Sequence, residues 1–167
     1  EQGASQWSPM FAEDGLKVSK TVGDLLGPCS FAFFMGLSRF LYGMKGENLK
    51  LIPSLKATSL LCILGYLVTS LSPIPLLSLA GCAICGFSVG LMWPGTFSLG
   101  AAYLRGGGTF MYAMFALAGD IGCSAGPGVV GIISQFTGKM NLGILTAILF
   151  PLGMLILVSL LKQQKPA

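Results

Sequence analysis

Histidine is absent from this chain, and charge is scarce. Six acidic and ten basic residues make up 10% of the 167 positions; a soluble globular domain carries roughly 25%. Without histidine, the commonest general base and metal ligand is unavailable. No polar stretch is long enough to form a separate soluble domain. Glu1–Lys20 has no basic segment ahead of an apolar run and no cleavage site, so it does not read as a signal peptide. It reads as the interior of a longer chain, and a fragment is expected. The net charge of +4 does not argue for nucleic acid, because the basic residues sit in short loops, where membrane topology alone places them.

What is present is apolar: 53% of residues are hydrophobic, gathered into segments near bilayer length. A helix needs about 20 mostly apolar residues to cross lipid, because backbone groups in hydrocarbon must hydrogen-bond within their own segment. Five such spans are expected: Thr21–Tyr42, Leu51–Ser72, Ile74–Leu104, Thr109–Phe136 and Leu142–Leu161. The first residues, 1–16, read as the outer end of a further, partial span, with Trp7 near an interface. The fold class is an all-α, polytopic helical membrane protein whose main partner is the lipid bilayer.

Basic residues sort by side. Lys45, Lys50 and Lys56 follow the first span, Arg105 the third, and Lys162 and Lys165 the fifth. The alternate connections hold Lys17 and Lys20 balanced by Glu13 and Asp14, then no charge, then Lys139. The positive-inside rule places the first group and the C-terminus in the cytoplasm.

Inside the spans the polar exceptions carry the functional argument. Asp120 lies about 16 Å along its span, near the bilayer midplane. A bare carboxylate there costs at least ~2.5–3.5 kcal/mol, so it should face protein or a wet cavity. Contact with a proton, ion or substrate is one reading; a hydrogen-bonded clamp between helices is the other. Asp24, in the first turn of its span, suits a helix N-terminus. Arg39, near the cytoplasmic end of the same span, can snorkel or pair with a loop acid such as Glu47. Cys82 and Cys85 form a C-x-x-C within an apolar helix that lacks a second ligand pair, so they read as small packing residues, like Cys29, Cys62 and Cys123. No metal site and no cofactor is expected. Without histidine or paired acids, enzymatic chemistry is not expected either.

Pro94, between Trp93 and Gly95, and the sequence Gly126-Pro127-Gly128 should bend the third and fourth spans. Gly86-x-x-x-Gly90 and Gly122-x-x-x-Gly126 should let helices approach closely.

Gly36-Leu-Ser-Arg39-Phe40-Leu41-Tyr42-Gly43-Met44-Lys45 resembles the second copy of the cytoplasmic loop motif G-x-x-x-D-R-x-G-R-K of the major facilitator superfamily. Phe40 and Leu41 replace the acid and the first arginine. Gly122-x-x-x-Gly126-Pro127-x-x-x-Gly131 resembles the glycine-proline motif of that superfamily's fifth helix, whose counterpart in the second half is the eleventh. Glu1-Gln2-Gly3-Ala4-Ser5-Gln6-Trp7 with Phe11-Ala12-Glu13 is similar to the seventh helix of bacterial fucose-permease-like sugar porters. Trp93-Pro94-Gly95-Thr96-Phe97-Ser98 resembles a segment of their tenth helix. The resemblance implies the C-terminal half of such a transporter, with 1–16 from helix seven and 17–167 supplying helices eight to twelve. It implies a small solute, such as a sugar, moved across a bacterial inner membrane by cation- or proton-coupled alternating access. It further implies Glu1, Gln2, Gln6 and Trp93 as substrate contacts, and the N-terminal half of the same transporter as a partner. A non-transporting scaffold or accessory subunit is the alternative.

Cysteines introduced at Lys45 and Lys162 are expected to be modified by an impermeant reagent from the same side of the membrane. Modification from opposite sides overturns this topology.

Overall fold

The computed structural model describes residues 1–10, 19, 21, 25–46, 49–104 and 106–161. Asp24, Glu47, Arg105, Lys162 and Lys165 lie outside these, as do most residues of the connection between 11 and 24. The described chain is helical throughout: α1 (Gln2–Met10), a π-helical turn (Leu25–Cys29) running into α2 (Ser30–Lys45), α3 (Leu51–Leu71), α4 (Pro75–Tyr103), α5 (Gly108–Thr137), α6 (Met140–Thr146) and α7 (Leu149–Leu160). Four segments are long and apolar enough to cross a membrane: Leu51–Leu71, Leu76–Tyr103, Gly108–Thr137 and Met140–Leu160. The span expected at Thr21–Tyr42 is helical from Leu25 through Lys45, while residues 22–24 lie outside the described part.

Close approach of backbones organises the bundle around α4. A Cβ at Gly65 of α3 would lie 2.7 Å from Cys85 Sγ, and one at Gly81 would lie 2.7 Å from the backbone nitrogen of Thr69. On another face, a Cβ at Gly86 would lie 2.9 Å from the Phe31 Cα, and one at Gly90 would lie 2.6 Å from the Met35 carbonyl. Glycine at these four positions brings main chains together, as small residues do between helices in lipid. The Gly86-x-x-x-Gly90 pair therefore faces α2. Cys82 and Cys85 sit in the α3–α4 contact, with the Thr69 hydroxyl donating to Cys82 Sγ (3.9 Å) and Cys85 Sγ donating to the Cys62 carbonyl (3.8 Å).

Buried and half-buried hydroxyls stitch these seams and the contact of α3 with α6. Ser78 donates to the Thr69 carbonyl (2.6 Å), Ser70 to the Asn141 carbonyl (2.6 Å), and Tyr42 to Ser98 Oγ (2.8 Å). Among the described residues no buried side-chain nitrogen or oxygen lacks a partner. An unpaired one would cost several kcal/mol in an apolar interior, roughly.

These contacts set direction. Phe31, Met35 and Tyr42 meet Gly86, Gly90 and Ser98 in the same order, so α2 and α4 run parallel. Gly65 and Thr69 meet Cys85 and Gly81 in reverse order, so α3 and α4 are antiparallel. Gly3 meets Gly126, and Trp7 meets Gly131, so α1 and α5 are parallel. Ile52, Leu55, Leu99 and Val158 cluster at one end, with Tyr103 packed against them. Lys45, Lys50 and Leu161 share that end, and Gly138 and Lys139 occupy the other.

Two expectations change. The helix expected to end at Tyr42 runs on to Lys45, so all of Gly36–Lys45, which the resemblance places in a cytoplasmic loop, lies in α2. Ser38 and Tyr42 hold it against α4. Pro94 and Pro127 lie inside continuous helices. The last span, expected to be one helix, breaks at Ala147 and Ile148. Pro151 has no N–H to bond the Ala147 carbonyl, and its ring crowds that carbonyl. Phe150 N bonds the Ala147 carbonyl in a tighter turn (3.2 Å), and Ala147 and Ile148 bond three residues back (both 3.1 Å). Gly138 ends α5 with φ 65°, a left-handed cap that glycine adopts without strain.

Replacing Gly86 with leucine should destabilise the α2–α4 contact by about 1–3 kcal/mol through overpacking. Gly36→Ala, where a Cβ meets nothing within 4 Å, should be neutral or gain up to ~1 kcal/mol of helix propensity. Thermal unfolding in detergent measures both. A Gly86→Leu protein as stable as the parent contradicts the interface.

Candidate functional site: a polar-edged cavity at mid-depth

Between α1, α4 and α5 lies a cavity of about 620 Å³, within the usual range for small-molecule sites of about 300–1,000 Å³. Its α4 wall carries Met92, Trp93, Thr96 and Phe97. Its α5 wall carries Phe115, Gly119, Asp120 and Cys123. Glu1 and Gln2 close it from α1 and Arg39 from α2, while Tyr66 and Met154 reach it from α3 and α7.

The α5 wall follows from helical spacing. Ala116, Gly119, Asp120 and Cys123 stand at i, i+3, i+4 and i+7, one stripe of the helix. Gly119 has a specific part: a Cβ there would lie 2.6 Å from the end of the Trp93 indole. The ring rests on bare backbone, one residue before the Asp120 carboxylate. Trp93 and Phe97, one turn apart, have centroids 4.7 Å apart, and Phe97 meets Phe115 across the α4–α5 gap at 5.3 Å. Tyr112 stacks on Phe97 at 5.8 Å with rings 15° apart.

The α1 wall is held by a different set. The Trp7 indole N–H donates to the Pro127 carbonyl at 3.0 Å, and a Cβ at Gly131 would lie 2.8 Å from that ring. Gly3 lies on Gly126, where its Cβ would sit 3.4 Å from the Gly126 carbonyl carbon. The Gly126-Pro127-x-x-x-Gly131 segment thus seats α1 and carries Glu1 and Gln2 to the cavity.

Arg39 Nη2 lies 3.4 Å from Glu1 Oε2, joining α2 to α1 across the cavity edge. Both side chains are partly solvated, so the pair contributes modestly to stability. The carboxylate of Asp120 has no hydrogen-bond or ion-pair partner among the described residues; only its backbone carbonyl accepts, from Ser124 (3.2 Å). The side chains lining the cavity include two acids and one guanidinium, a side-chain formal charge of −1.

Of the residues singled out in the sequence, Glu1, Gln2, Trp93 and Asp120 converge on this cavity, and so does Arg39. Arg39 faces Glu1 near the level of Trp93, with six residues of α2 beyond it; Glu47, the expected loop partner, lies outside the described residues. Gln6, one turn further along α1, is exposed and does not line the cavity. Asp24 lies outside the described residues. Gly36 and Gly43 are on α2 with open space around them, and Lys45 ends that helix. Gly122 lines the cavity, where a Cβ would meet nothing within 4 Å, while Gly126 is buried against Gly3. Pro94 is on α4 beside Trp93 but does not line the cavity. Phe97 and Phe115 were not singled out as cavity residues, and Cys123, expected to be a packing residue, lines the cavity instead; Phe97 at i+4 from Trp93 and Cys123 at i+3 from Asp120 carried a spacing signal, and Phe115 carried none. No protein-family model and no curated protein matches this sequence.

If α5 presents this stripe to water, Cys123 should react with a hydrophilic thiol reagent in the membrane-embedded protein. Cysteines placed at Leu117 and Ile121, which do not line the cavity, should not. Equal labelling of all three positions speaks against an aqueous cavity.

Proposed function

We propose that this chain is the C-terminal half of a secondary transporter of the major facilitator type. It contributes five full spans and one partial one, with its C-terminus in the cytoplasm of a bacterial cell. The single observation that carries the reading is the cavity: a polar-edged space beside the middle of α5 in a largely apolar helical bundle, with a carboxylate that no described residue neutralises. Polar groups at this depth persist where they line a solute or ion path. The parallel packing of α1 on α5 and of α2 on α4 fits six helices of alternating direction, and the sorting of lysines fits the orientation.

In this reading a small solute occupies the cavity between this half and an N-terminal one. Rocking of the two halves exposes it to each side in turn. Glu1, Gln2 and Trp93 contact the solute. Asp120 contacts the solute or a coupling cation or proton. The Glu1–Arg39 pair ties α1 to α2 and is placed to break when α1 moves. α5 is the open member of the set: 17% of its most apolar window is buried, against 56% for α4. Phe110, Leu117, Ile121 and Phe136 are exposed along it, which suits contact with lipid and with the other half.

Uptake of a panel of labelled solutes into liposomes carrying the full-length transporter tests this. Asp120→Asn should lower uptake of the transported solute at least about tenfold, while size-exclusion behaviour stays unchanged. Undiminished uptake in Asp120→Asn, with failure only in Asp120→Leu, assigns the residue to helix clamping. Absence of uptake for every solute overturns the transporter reading.

A further inference from the structure

We infer that the solute is a small organic cation, an alkylated ammonium compound, held between the Trp93–Phe97–Phe115 wall and the Asp120 carboxylate. The inference rests on reading the cavity as the solute site and names the chemistry of what enters it.

Charge is the first argument. Arg39 is engaged by Glu1 at 3.4 Å, so these two offset each other. Asp120 remains, a carboxylate without a partner among the described residues, aimed at the same space. An anion placed there would meet uncompensated negative charge. A cation would complete the pair beside a largely apolar wall, where attraction between opposite charges is stronger than in open water.

Shape and surface supply the second. Trp93, Phe97 and Phe115 form one continuous aromatic wall, with centroid separations of 4.7 and 5.3 Å. Gly119 lets the indole reach the α5 backbone next to Asp120. A cation within about 6 Å of such a face is attracted by the ring quadrupole, most strongly by tryptophan. An aromatic wall set beside a lone carboxylate is the arrangement that favours alkylammonium groups, whose methyl surfaces are apolar and whose charge is spread.

Hydrogen-bonding capacity is the third. A sugar presents hydroxyls on all sides and needs many side-chain partners. Among the described residues the cavity lining contains no serine or asparagine. Its one threonine, Thr96, already donates to the Met92 carbonyl at 2.6 Å, which leaves the Tyr66 hydroxyl as the one uncharged hydroxyl on the wall. Gln2 is the only uncharged amide present. The remainder of the lining is chiefly alanine, glycine, methionine and aromatic carbon. Such a wall suits an apolar body carrying one charge.

Cys123, exposed on the cavity wall one turn beyond Asp120, is a native reporter of occupancy. In the full-length transporter, its alkylation by iodoacetamide is followed by peptide mass spectrometry, with choline, tetramethylammonium or glucose added. Choline and tetramethylammonium should slow alkylation several-fold, and glucose should not. Half-protection by choline should need at least about tenfold more ligand in Asp120→Asn, and should be nearly normal in Asp120→Glu, which keeps the charge. Trp93→Phe should weaken it about threefold and Trp93→Leu about tenfold, the graded order of a cation over a ring. Gln6→Ala, outside the cavity, should change nothing. Protection by glucose but not by choline overturns the cation and leaves the solute cavity standing. So does choline protection that is equal in the parent, Asp120→Asn and Trp93→Leu. A Cys123 that reacts freely but is protected by no probe also overturns the cation. A Cys123 that never reacts with the aqueous reagent removes the cavity reading itself.

Discussion

Everything in this bundle depends on how closely α4 can approach its two neighbours. Gly65 and Gly81 bring it onto α3, and Gly86 and Gly90 bring it onto α2, with main-chain atoms inside the distance that any Cβ would need. Lipid gives helices no hydrophobic incentive to associate, so dispersion contact and interhelical hydrogen bonds must supply it. Both need short separations. The glycines provide them, and Ser78, Ser70 and Tyr42 then find carbonyl or hydroxyl partners on adjacent helices.

The cavity is the counterpart of that tight core. One side of α4 is buried against α2 and α3; the next carries Trp93, Thr96 and Phe97 toward α5, which is packed far more loosely. A rigid wall thus faces a loosely held one. The aromatic side chains bridge the gap where the two helices do not touch, and Gly119 and Gly100 admit the Trp93 and Phe115 rings onto opposing backbone. Helix α1 is attached chiefly through α5, by the Trp7–Pro127 hydrogen bond and the Gly3–Gly126 contact. The solvated Glu1–Arg39 pair links it to α2. A weak, partly exposed ion pair in that position can be exchanged for water at low cost.

The buried cysteines show how context sets the meaning of a motif. Cys82-x-x-Cys85 has the spacing of a redox or metal pair. Its side chains instead fill the α3–α4 seam, against Thr69 and the Cys62 carbonyl. A thiol is small and weakly polar, so in a tight interface it serves much as alanine or serine would. Cys123, on the open helix, faces the cavity.

Helix content and the four longest spans were legible in the sequence because both follow from local properties: an apolar run of sufficient length in a medium without water must be helical. The isolated polar residues Asp120 and Trp93 were legible for the same reason, as exceptions within such runs. The packing role of Gly86 and Gly90 could be read from their four-residue spacing. Other features needed the tertiary structure. Nothing local says that Arg39 meets Glu1, 38 positions away, or that Ser38 and Tyr42 dock on α4. Nor does it say that Gln6 points away from the cavity Gln2 lines, or that Phe97, Phe115 and Asp120 share one wall. Hydropathy and spacing act along a helix and determine that it forms. Which face it turns to a neighbour is decided by packing through space, where one glycine or one hydroxyl on another helix sets the contact.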